Sequence, residues 1–296
     1  MMRFSNADDV YTFLNLYLNF ERKAEPTEYR LDRMHALHRD FGMPDRAYRI
    51  IHVAGSKGKG STSAMLASIL QQAGHRVGLF TSPHFLSFTE RIMINQEPVG
   101  LNVLIPAAQE LAAYMDGKSE AYFPGGENPT YFELLTILGF LCFRKAACDI
   151  VVVEVGLGGR LDSTNVVQPE LCAITPIELE HTELLGDTIA KIAMEKAGIM
   201  KKGIPVFTNA KKPEALAVFR TRAQELGCAL HELDALAAIL DVHIDTKGTS
   251  FTLSMRDGTA ADTSYRCAMI GSVQAHNASL AILMARSLGI AEQAIQ

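Results

Sequence analysis

The sequence has few of the residues that build disulfide scaffolds or cysteine metal sites. Its five cysteines are scattered along 296 residues, and no two of them form a CxxC pair. Disulfide-rich secreted domains and cysteine zinc sites both depend on closely spaced cysteines. We therefore expect a reduced protein in the cytoplasm.

An excess of basic residues and long apolar runs are also missing. The chain has 28 Lys and Arg against 33 Asp and Glu, a formal net charge of −5, whereas affinity for a phosphate backbone requires a basic excess. No stretch reaches the ~18 consecutive apolar residues of a membrane span, and the N-terminus lacks the small-residue cleavage site of a secretion signal. The composition favours small-molecule chemistry and argues against nucleic-acid and membrane partners.

The chain does contain a regular alternation of short β-rich runs and helical patterns. "RIIHVAG", "RVGLF", "DIVVVEVG", "LCAITP" and "GIPVFT" are continuous apolar runs separated by helical segments. Such runs are typical of parallel strands covered by helices on both faces. The pattern predicts an α/β fold with a doubly wound, mostly parallel sheet of the P-loop type. After about Asp241, the alternation in "DVHIDTKGTSFTLSM" predicts a small antiparallel hairpin at the edge of this sheet.

The stretch "HVAGSKGKGSTSAML" joins a strand over residues 50–54 to a helix that begins near Lys59 or Gly60. Its glycines allow backbone N–H groups to approach a phosphate, and the helix N-terminus adds partial positive charge. Lys59 would reach the β- and γ-phosphates of a nucleotide. A tight strand-to-helix turn with a solvated lysine is the alternative.

This loop lacks the hydroxyl that usually follows the lysine and binds Mg²⁺, because Gly60 stands there. Ser61, Thr62 or a residue from elsewhere must supply it. Ser82 is a candidate because it follows the apolar run "VGLF" at a carboxyl edge, where ligands gather in open α/β sheets. Alternatively, Ser82 only ends the strand.

Glu154 is a carboxylate in the otherwise apolar run "DIVVVEVG". Burying a carboxylate without a partner is costly. A Mg²⁺ ligand beside a phosphate loop would explain it, and so would a buried salt bridge. The following "GLGG" indicates a tight turn against a ligand or another backbone.

The residues alone leave His181 and Lys196 undecided. His181 follows a predicted strand by a few residues, and a lone histidine in a loop is more often at the surface than on a metal. Lys196 lies on a predicted helix, where a lysine usually extends to solvent.

Taken together, these segments resemble the folylpolyglutamate synthase/dihydrofolate synthase family, a branch of the ATP-dependent Mur ligases. Four stretches carry the resemblance in order: "HVAGSKGKGSTS", "TSPHFLSFTERI", "EVGLGGRLDSTNVV" and "HTELLGDTIAKIAMEKAGI". "PTYFELLT" lies between the second and the third. The resemblance extends from about Thr27 to the end of the chain.

The resemblance implies a set of site residues. ATP would be bound by Gly55, Ser56, Lys57, Gly58, Lys59, Gly60, Ser61 and Asn277. Two Mg²⁺ ions would be held by Ser82, Glu154, His181 and Lys196, the last as a carbamylated lysine. The catalytic set would be Lys59, Glu154, His181 and Lys196. The pterin substrate would contact Glu28, Tyr29, Arg30, Thr130, Tyr131, Phe132, Glu133, Leu161, Asp162 and Ser163.

The implied activity is ATP-dependent ligation of L-glutamate to dihydropteroate, to folyl(poly)glutamates or to both, through an acyl phosphate. Family members continue into a second, smaller domain. Residues 1–290 are therefore expected to be the central ATP-binding domain of a monomer, and residues 291–296 the start of a linker to a C-terminal ligase domain absent from this chain. A nucleotide-binding module that is inactive without that domain, or another P-loop NTPase, are the alternatives.

Four positions depart from the family pattern. Lys57 replaces a common Asn, Glu180 replaces the Asp before the metal histidine, Arg30 stands where Gly is common, and Val273 replaces a frequent His. The changes on the pterin side leave the choice of substrate open.

Overall fold

A central β-sheet organises the protein. The computed structural model describes residues 3–19, 29–258 and 261–296. The strands of the sheet are β1 (Arg49–Ala54), β2 (Val77–Phe80), β3 (Ile92–Ile94), β4 (Glu97–Pro98), β5 (Ile150–Glu154), β6 (Leu171–Ile174), β7 (Val206–Thr208) and β8 (Leu230–Glu232). Within the described residues they form eight strands in the order β4-β3-β2-β5-β1-β6-β7-β8. At one edge β3 pairs antiparallel with both β2 and β4, and the other pairings are parallel.

Helices cover both faces of this sheet. They are α1 (Ala7–Leu14), α2 (Asp32–Asp40), α3 (Lys59–Gln72), α4 (Leu101–Met115), α5 (Tyr131–Lys145), α6 (Thr182–Leu185), α7 (Ile189–Ala197), α8 (Pro213–Leu226), α9 (Leu233–Leu236), α10 (Ser272–Ser287) and α11 (Glu292–Ile295). Ile50 packs in a core cluster with α1, α2, α4 and α5, whereas Ile51 and Val53 pack in a cluster with α3 and α10. Successive side chains of a strand point to opposite faces, so both faces are apolar and the doubly wound α/β prediction is confirmed.

Local signals account for several helix boundaries. Pro213 stands at the start of α8, where a missing N–H costs nothing, and Gly227 ends the helix in the left-handed conformation with φ 64°. Thr188 caps α7 by accepting the N–H of Lys191.

The hairpin predicted after Asp241 forms, but its predicted place at the edge of the main sheet is wrong. β9 (Ala237–Asp245), β10 (Gly248–Met255) and β11 (Thr263–Cys267) make a separate antiparallel sheet in the order β11-β10-β9. Phe251, Leu253 and Tyr265 are buried in the core cluster that contains α3 and α10. The hairpin therefore contributes an apolar face that covers helices, and β10 pairs with β11 on the side away from β9.

The last residues pack against the body of the protein. Ile295 in α11 is buried in the same cluster as α3, so the residues predicted to begin a linker lie on the domain, and the boundary at residue 290 stays a prediction. In the part of the chain that the structure describes, no helix combines the length and apolar character needed to cross a membrane. The cytoplasmic location and the monomeric state also stay predictions.

Candidate nucleotide and metal site

The glycine-rich turn between β1 and α3 is locked by contacts that exclude a side chain at two positions. Gly55 has φ +143°, and a Cβ there would lie 1.8 Å from Thr175 Oγ1. Gly58 has φ +87°, and a Cβ there would lie 2.6 Å from Asn277 Oδ1. The turn is therefore held between the end of β6 and helix α10, and Asn277 lies against the loop. Its role in binding ATP stays a prediction.

The backbone N–H groups of the turn divide into two sets. Those of Ser56 and Lys57 donate to the Pro176 carbonyl, at 2.9 and 3.3 Å. The N–H of Thr62 donates to the Gly58 carbonyl at 2.9 Å, and helix geometry leaves the N–H groups of residues 59–61 without a carbonyl of their own helix. Such a helix start binds anions. The candidate phosphate site is thus the first turn of α3, and Lys57 would have to reach a phosphate with its exposed side chain.

Glu154, the last residue of β5, faces this helix start. Its side chain is 4% exposed, and a Cβ on Gly60 would lie 3.5 Å from its Oε2. Burial raises the pKa of Glu154 to about 7, and the nearby charge of Lys59 opposes that rise. No Lys, Arg or His nitrogen of the described residues lies within 4.0 Å of the carboxylate. The structure thus does not form the buried salt bridge that would have explained Glu154.

Ser82 lies beside Glu154, at the end of the neighbouring strand β2. Its backbone N–H donates to Glu154 Oε2 at 3.3 Å. β2 and β5 are adjacent parallel strands, so their carboxyl ends meet at one edge of the sheet. The structure therefore brings together two predicted metal ligands and Gly60, whose missing side chain leaves room for the carboxylate.

Lys196 joins three loops around the site. Its side chain is 2% exposed, and its Nζ donates to the Gly55 carbonyl at 2.8 Å and to Glu180 Oε1 at 2.9 Å. Burial lowers its pKa, and Glu180 opposes this. The backbone of Lys196 also packs on Gly159, where a Cβ would lie 3.0 Å from Lys196 Cα. A helical lysine usually extends to solvent, but the side chain of Lys196 points into the protein.

His181 is placed differently from the other predicted ligands. It is exposed and has left-handed backbone, with φ 45°, at the start of α6. Its neighbour Glu180 turns inward to Lys196. No cluster of three or more His, Cys, Asp or Glu side chains with metal-binding geometry occurs among the described residues.

Two predicted substrate residues form a helix cap. Thr130 Oγ1 accepts the Glu133 N–H, and Glu133 Oε2 accepts the Thr130 N–H at 2.6 Å, so the pair is a capping box at the start of α5. Burial raises the pKa of Glu133, and the buried Arg33, whose Nε lies 3.3 Å from its carboxylate, opposes the rise. Arg33 was not identified from the sequence. The T-x-x-E spacing of Thr130 and Glu133, however, is a signal from which the helix cap could have been identified.

Asp162 holds the turn that follows Glu154. Its Oδ2 accepts the Leu157 N–H at 2.9 Å, and its Oδ1 accepts the Thr164 N–H at 2.9 Å. Burial raises the pKa of Asp162, and these hydrogen bonds oppose the rise. Leu161 and Ser163 on either side are half-buried.

The remaining predicted substrate residues occupy different environments in the structure. Phe132 packs on Gly156, where a Cβ would lie 2.6 Å from the ring, and Tyr131 is a core residue at 1% exposure. Burial, and to a smaller extent the charge of Asp162, raises the pKa of Tyr29. Arg30 Nε donates to Asp32 at 3.1 Å. Glu28 lies outside the described residues.

Sequence comparison assigns this arrangement to a family. The family described as "Mur ligase middle domain" matches residues 53–285, which include the loop, Glu154, Lys196 and Asn277. The chain belongs to the Mur ligase family. This Mur ligase chain is 39% identical over 259 residues to the dihydrofolate synthase/folylpolyglutamate synthase of Bacillus subtilis, covering 87% of the chain and 59% of the relative.

A second relative and two solved structures support the same family assignment. The folylpolyglutamate synthase of Lacticaseibacillus casei is 37% identical over 281 residues, covering 93% of the chain and 63% of the relative. A folylpolyglutamate synthase complex with AMPPCP and folate matches with a TM-score of 0.83 at 34% identity, over 98% of this chain and 70% of that one. The Mycobacterium tuberculosis enzyme with ADP matches with a TM-score of 0.85 at 30% identity, over 98% and 64%.

The predicted resemblance to the folylpolyglutamate synthase/dihydrofolate synthase branch is thereby confirmed. The chain spans about three-fifths of the length of the two curated relatives, 59% and 63%.

Proposed function

We propose that this chain carries the ATP-, Mg²⁺- and pterin-binding part of a ligase that adds L-glutamate to dihydropteroate, to folyl(poly)glutamates or to both. The observation that carries the proposal is the Glu154 carboxylate. It is buried, it has no salt-bridge partner among the described residues, and it faces both Gly60 at the start of α3 and the N–H of Ser82.

The residues around Glu154 fit a divalent cation. A carboxylate whose pKa is raised to about 7 by burial gains stability from a neighbouring cation, and carboxylate and hydroxyl oxygens are ligands that Mg²⁺ accepts. Glu154 and Ser82 would hold one ion, and His181 would help to hold a second. Bound Mg²⁺ would supply neutralisation of the charge on the phosphate being transferred.

A carbamate on Lys196 fits less well. The ammonium group has two acceptors, the Gly55 carbonyl and the Glu180 carboxylate. A carbamate would keep one N–H for Gly55, but it would place a second anion beside Glu180. Carbamylation therefore stays a prediction, and we assign no reaction step to it.

The chain's own residues would position the nucleotide for attack. The N–H groups at the start of α3 and the Lys59 ammonium would hold the β- and γ-phosphates, while Asn277 closes the loop from α10. The substrate carboxylate would attack the γ-phosphorus, and ADP would leave. The amine of L-glutamate would then attack the acyl carbon of the resulting acyl phosphate, form the amide with loss of a proton, and displace free phosphate. Such phosphoryl transfer requires positioning and charge neutralisation more than covalent help from the protein.

A second candidate function is a nucleotide-binding module without ligase activity. It is favoured by length, because the chain spans 59% and 63% of the two curated relatives. The two candidates share the nucleotide site and differ in turnover.

Calorimetric titration with ATP and Mg²⁺, beside an ADP-release assay with dihydropteroate and L-glutamate, separates the two candidates. Binding with glutamate-dependent ADP release supports the ligase, and binding without release supports the module. The Lys59→Ala variant should lose binding and keep its fold by circular dichroism. If the wild-type chain does not bind ATP, or if Lys59→Ala binds normally, the nucleotide site is wrong.

A further inference from the structure

A chain of buried hydrogen bonds lies behind the site and includes two residues without an assigned role. His52, in β1, is fully buried, and its Nε2 lies 2.9 Å from Thr164 Oγ1. Thr164, also fully buried, places the same Oγ1 2.5 Å from Asp162 Oδ1. The three side chains connect the strand before the phosphate loop to the turn after Glu154.

The direction of each hydrogen bond follows from the chemistry of the groups. An ionised carboxylate can only accept, so the Thr164 hydroxyl donates to Asp162. That hydroxyl must then accept from His52, which fixes the proton of the imidazole on Nε2. His52 Nδ1 is left bare, and this atom is buried without a partner in the described structure. Burial lowers the pKa of His52 to about 3, so the ring stays neutral.

Both ends of this series of hydrogen bonds contact backbone segments that carry site residues. His52 lies on β1, three residues before Gly55, which directly follows that strand. Asp162 accepts the N–H of Leu157, which stands three residues after Glu154. The hydrogen bonds thus fix the turn after the carboxylate relative to the strand that leads into the phosphate loop.

We propose that His52 and Thr164 are positioning residues for the Mg²⁺·ATP site, acting through Asp162 on the turn after Glu154. This inference rests on the proposed function. It gives Asp162 the role of holding that turn, because its carboxylate oxygens are already occupied by the N–H groups of the turn and by Thr164. Groups hydrogen-bonded directly to metal ligands typically affect metal affinity ~10–100-fold, and we expect the low end of that range here because these residues act through the backbone of the turn.

The test compares variants that remove one hydrogen bond with variants that keep it. Thr164→Val removes the hydroxyl and Thr164→Ser retains it. His52→Leu removes the donor, and His52→Gln retains an N–H at a similar distance. Thr136→Val is the matched control, because Thr136 is an equally buried threonine whose hydroxyl donates to the Phe132 carbonyl at 2.7 Å, outside this chain of bonds.

Affinity for Mg²⁺·ATP is measured by calorimetry on each variant, at a temperature where circular dichroism shows it folded. We expect about tenfold weaker binding for Thr164→Val and His52→Leu, and affinities within about twofold of the wild type for Thr164→Ser, His52→Gln and Thr136→Val. Wild-type affinity in Thr164→Val, or equal losses in Thr164→Val and Thr164→Ser, overturns the inference. If the wild-type chain does not bind Mg²⁺·ATP, the proposed function fails and the inference fails with it.

Nitrogen-15 NMR of the imidazole tests the direction of these hydrogen bonds, independently of the affinity measurement. In the wild type, His52 should show a protonated Nε2 and a bare Nδ1 that do not change between about pH 5 and pH 8. In Thr164→Val the Nε2 resonance should shift, and in Thr164→Ser it should not. A proton on Nδ1 in the wild type contradicts the assigned direction of the bonds.

Discussion

Replacing Glu154 by Gln should stabilise the folded protein at alkaline pH while it removes the metal site. Burial raises the pKa of this carboxyl from its ordinary 4.5 to about 7, so the folded state binds the proton more tightly than the unfolded state does. The wild type therefore loses stability as the pH rises from about 4.5 to 7, and the loss persists above 7. Gln carries no charge at any of these pH values and avoids the loss.

The size of the effect follows from the shift. A difference of ~2.5 pKa units corresponds to ~3 kcal/mol of unfolding free energy, and the side chain is 4% exposed, so solvent screening is small. The advantage of Glu154→Gln over the wild type should grow from under ~1 kcal/mol at pH 5 to ~3 kcal/mol at pH 8.

Urea unfolding of both proteins at several pH values measures this difference. Comparing the two proteins at each pH cancels the contribution of Glu133, a buried carboxyl that is not among the causes of the Glu154 pKa shift. Mg²⁺ with ATP should raise the unfolding midpoint of the wild type at pH 8 and leave that of Glu154→Gln unchanged. A pH-independent difference between the two proteins, or a less stable Gln variant at pH 8, would refute the reasoning.

Two further pairs of substitutions test specific contacts. Gly58→Ala places a Cβ in a left-handed residue at a cost of ~1–2 kcal/mol and 2.6 Å from Asn277 Oδ1; we expect it to lower the urea midpoint and to weaken ATP binding. Gly74→Ala has a similar backbone, with φ +91°, and nothing within 4 Å of its Cβ, so it should lower the midpoint less and bind ATP normally; equal ATP affinities in both variants would contradict the contact. Arg33→Met leaves Glu133 buried without its cation and should cost ~3–5 kcal/mol of unfolding free energy. Arg49→Met, which breaks an exposed pair with Glu170, should cost under ~1 kcal/mol, and a similar loss in both would remove the case for a buried ion pair.

The local chemistry of the site could be predicted because the residues that determine it lie close together in short segments of the sequence. The strand, the glycines and Lys59 stand together in one stretch, and the structure starts α3 at Lys59. The proximity of Ser82 and Glu154 followed from the rule that polar residues at the ends of adjacent parallel strands share an edge. The structure brings them together as that rule requires.

The long-range partners could not be predicted, because they depend on how distant segments pack. Thr175 excludes a side chain at Gly55, and Pro176 takes the N–H groups of Ser56 and Lys57. Neither residue belongs to a recognisable sequence motif. Arg33 lies 100 positions from Glu133 in the sequence and meets it only in the folded protein.

The hairpin was misplaced for a related physical reason. An alternating pattern identifies an antiparallel strand with one buried face, but it does not say what that face covers. Phe251 and Leu253 could have completed the main sheet or covered helices, and they cover helices.

A crystal structure of the chain with Mg²⁺ and AMPPCP tests the central claim most directly. We expect the metal on the Glu154 carboxylate and the Ser82 hydroxyl, with the phosphates against the N–H groups of residues 59–61. A metal held by the Ser61 hydroxyl, with Ser82 turned away from it, would contradict the account.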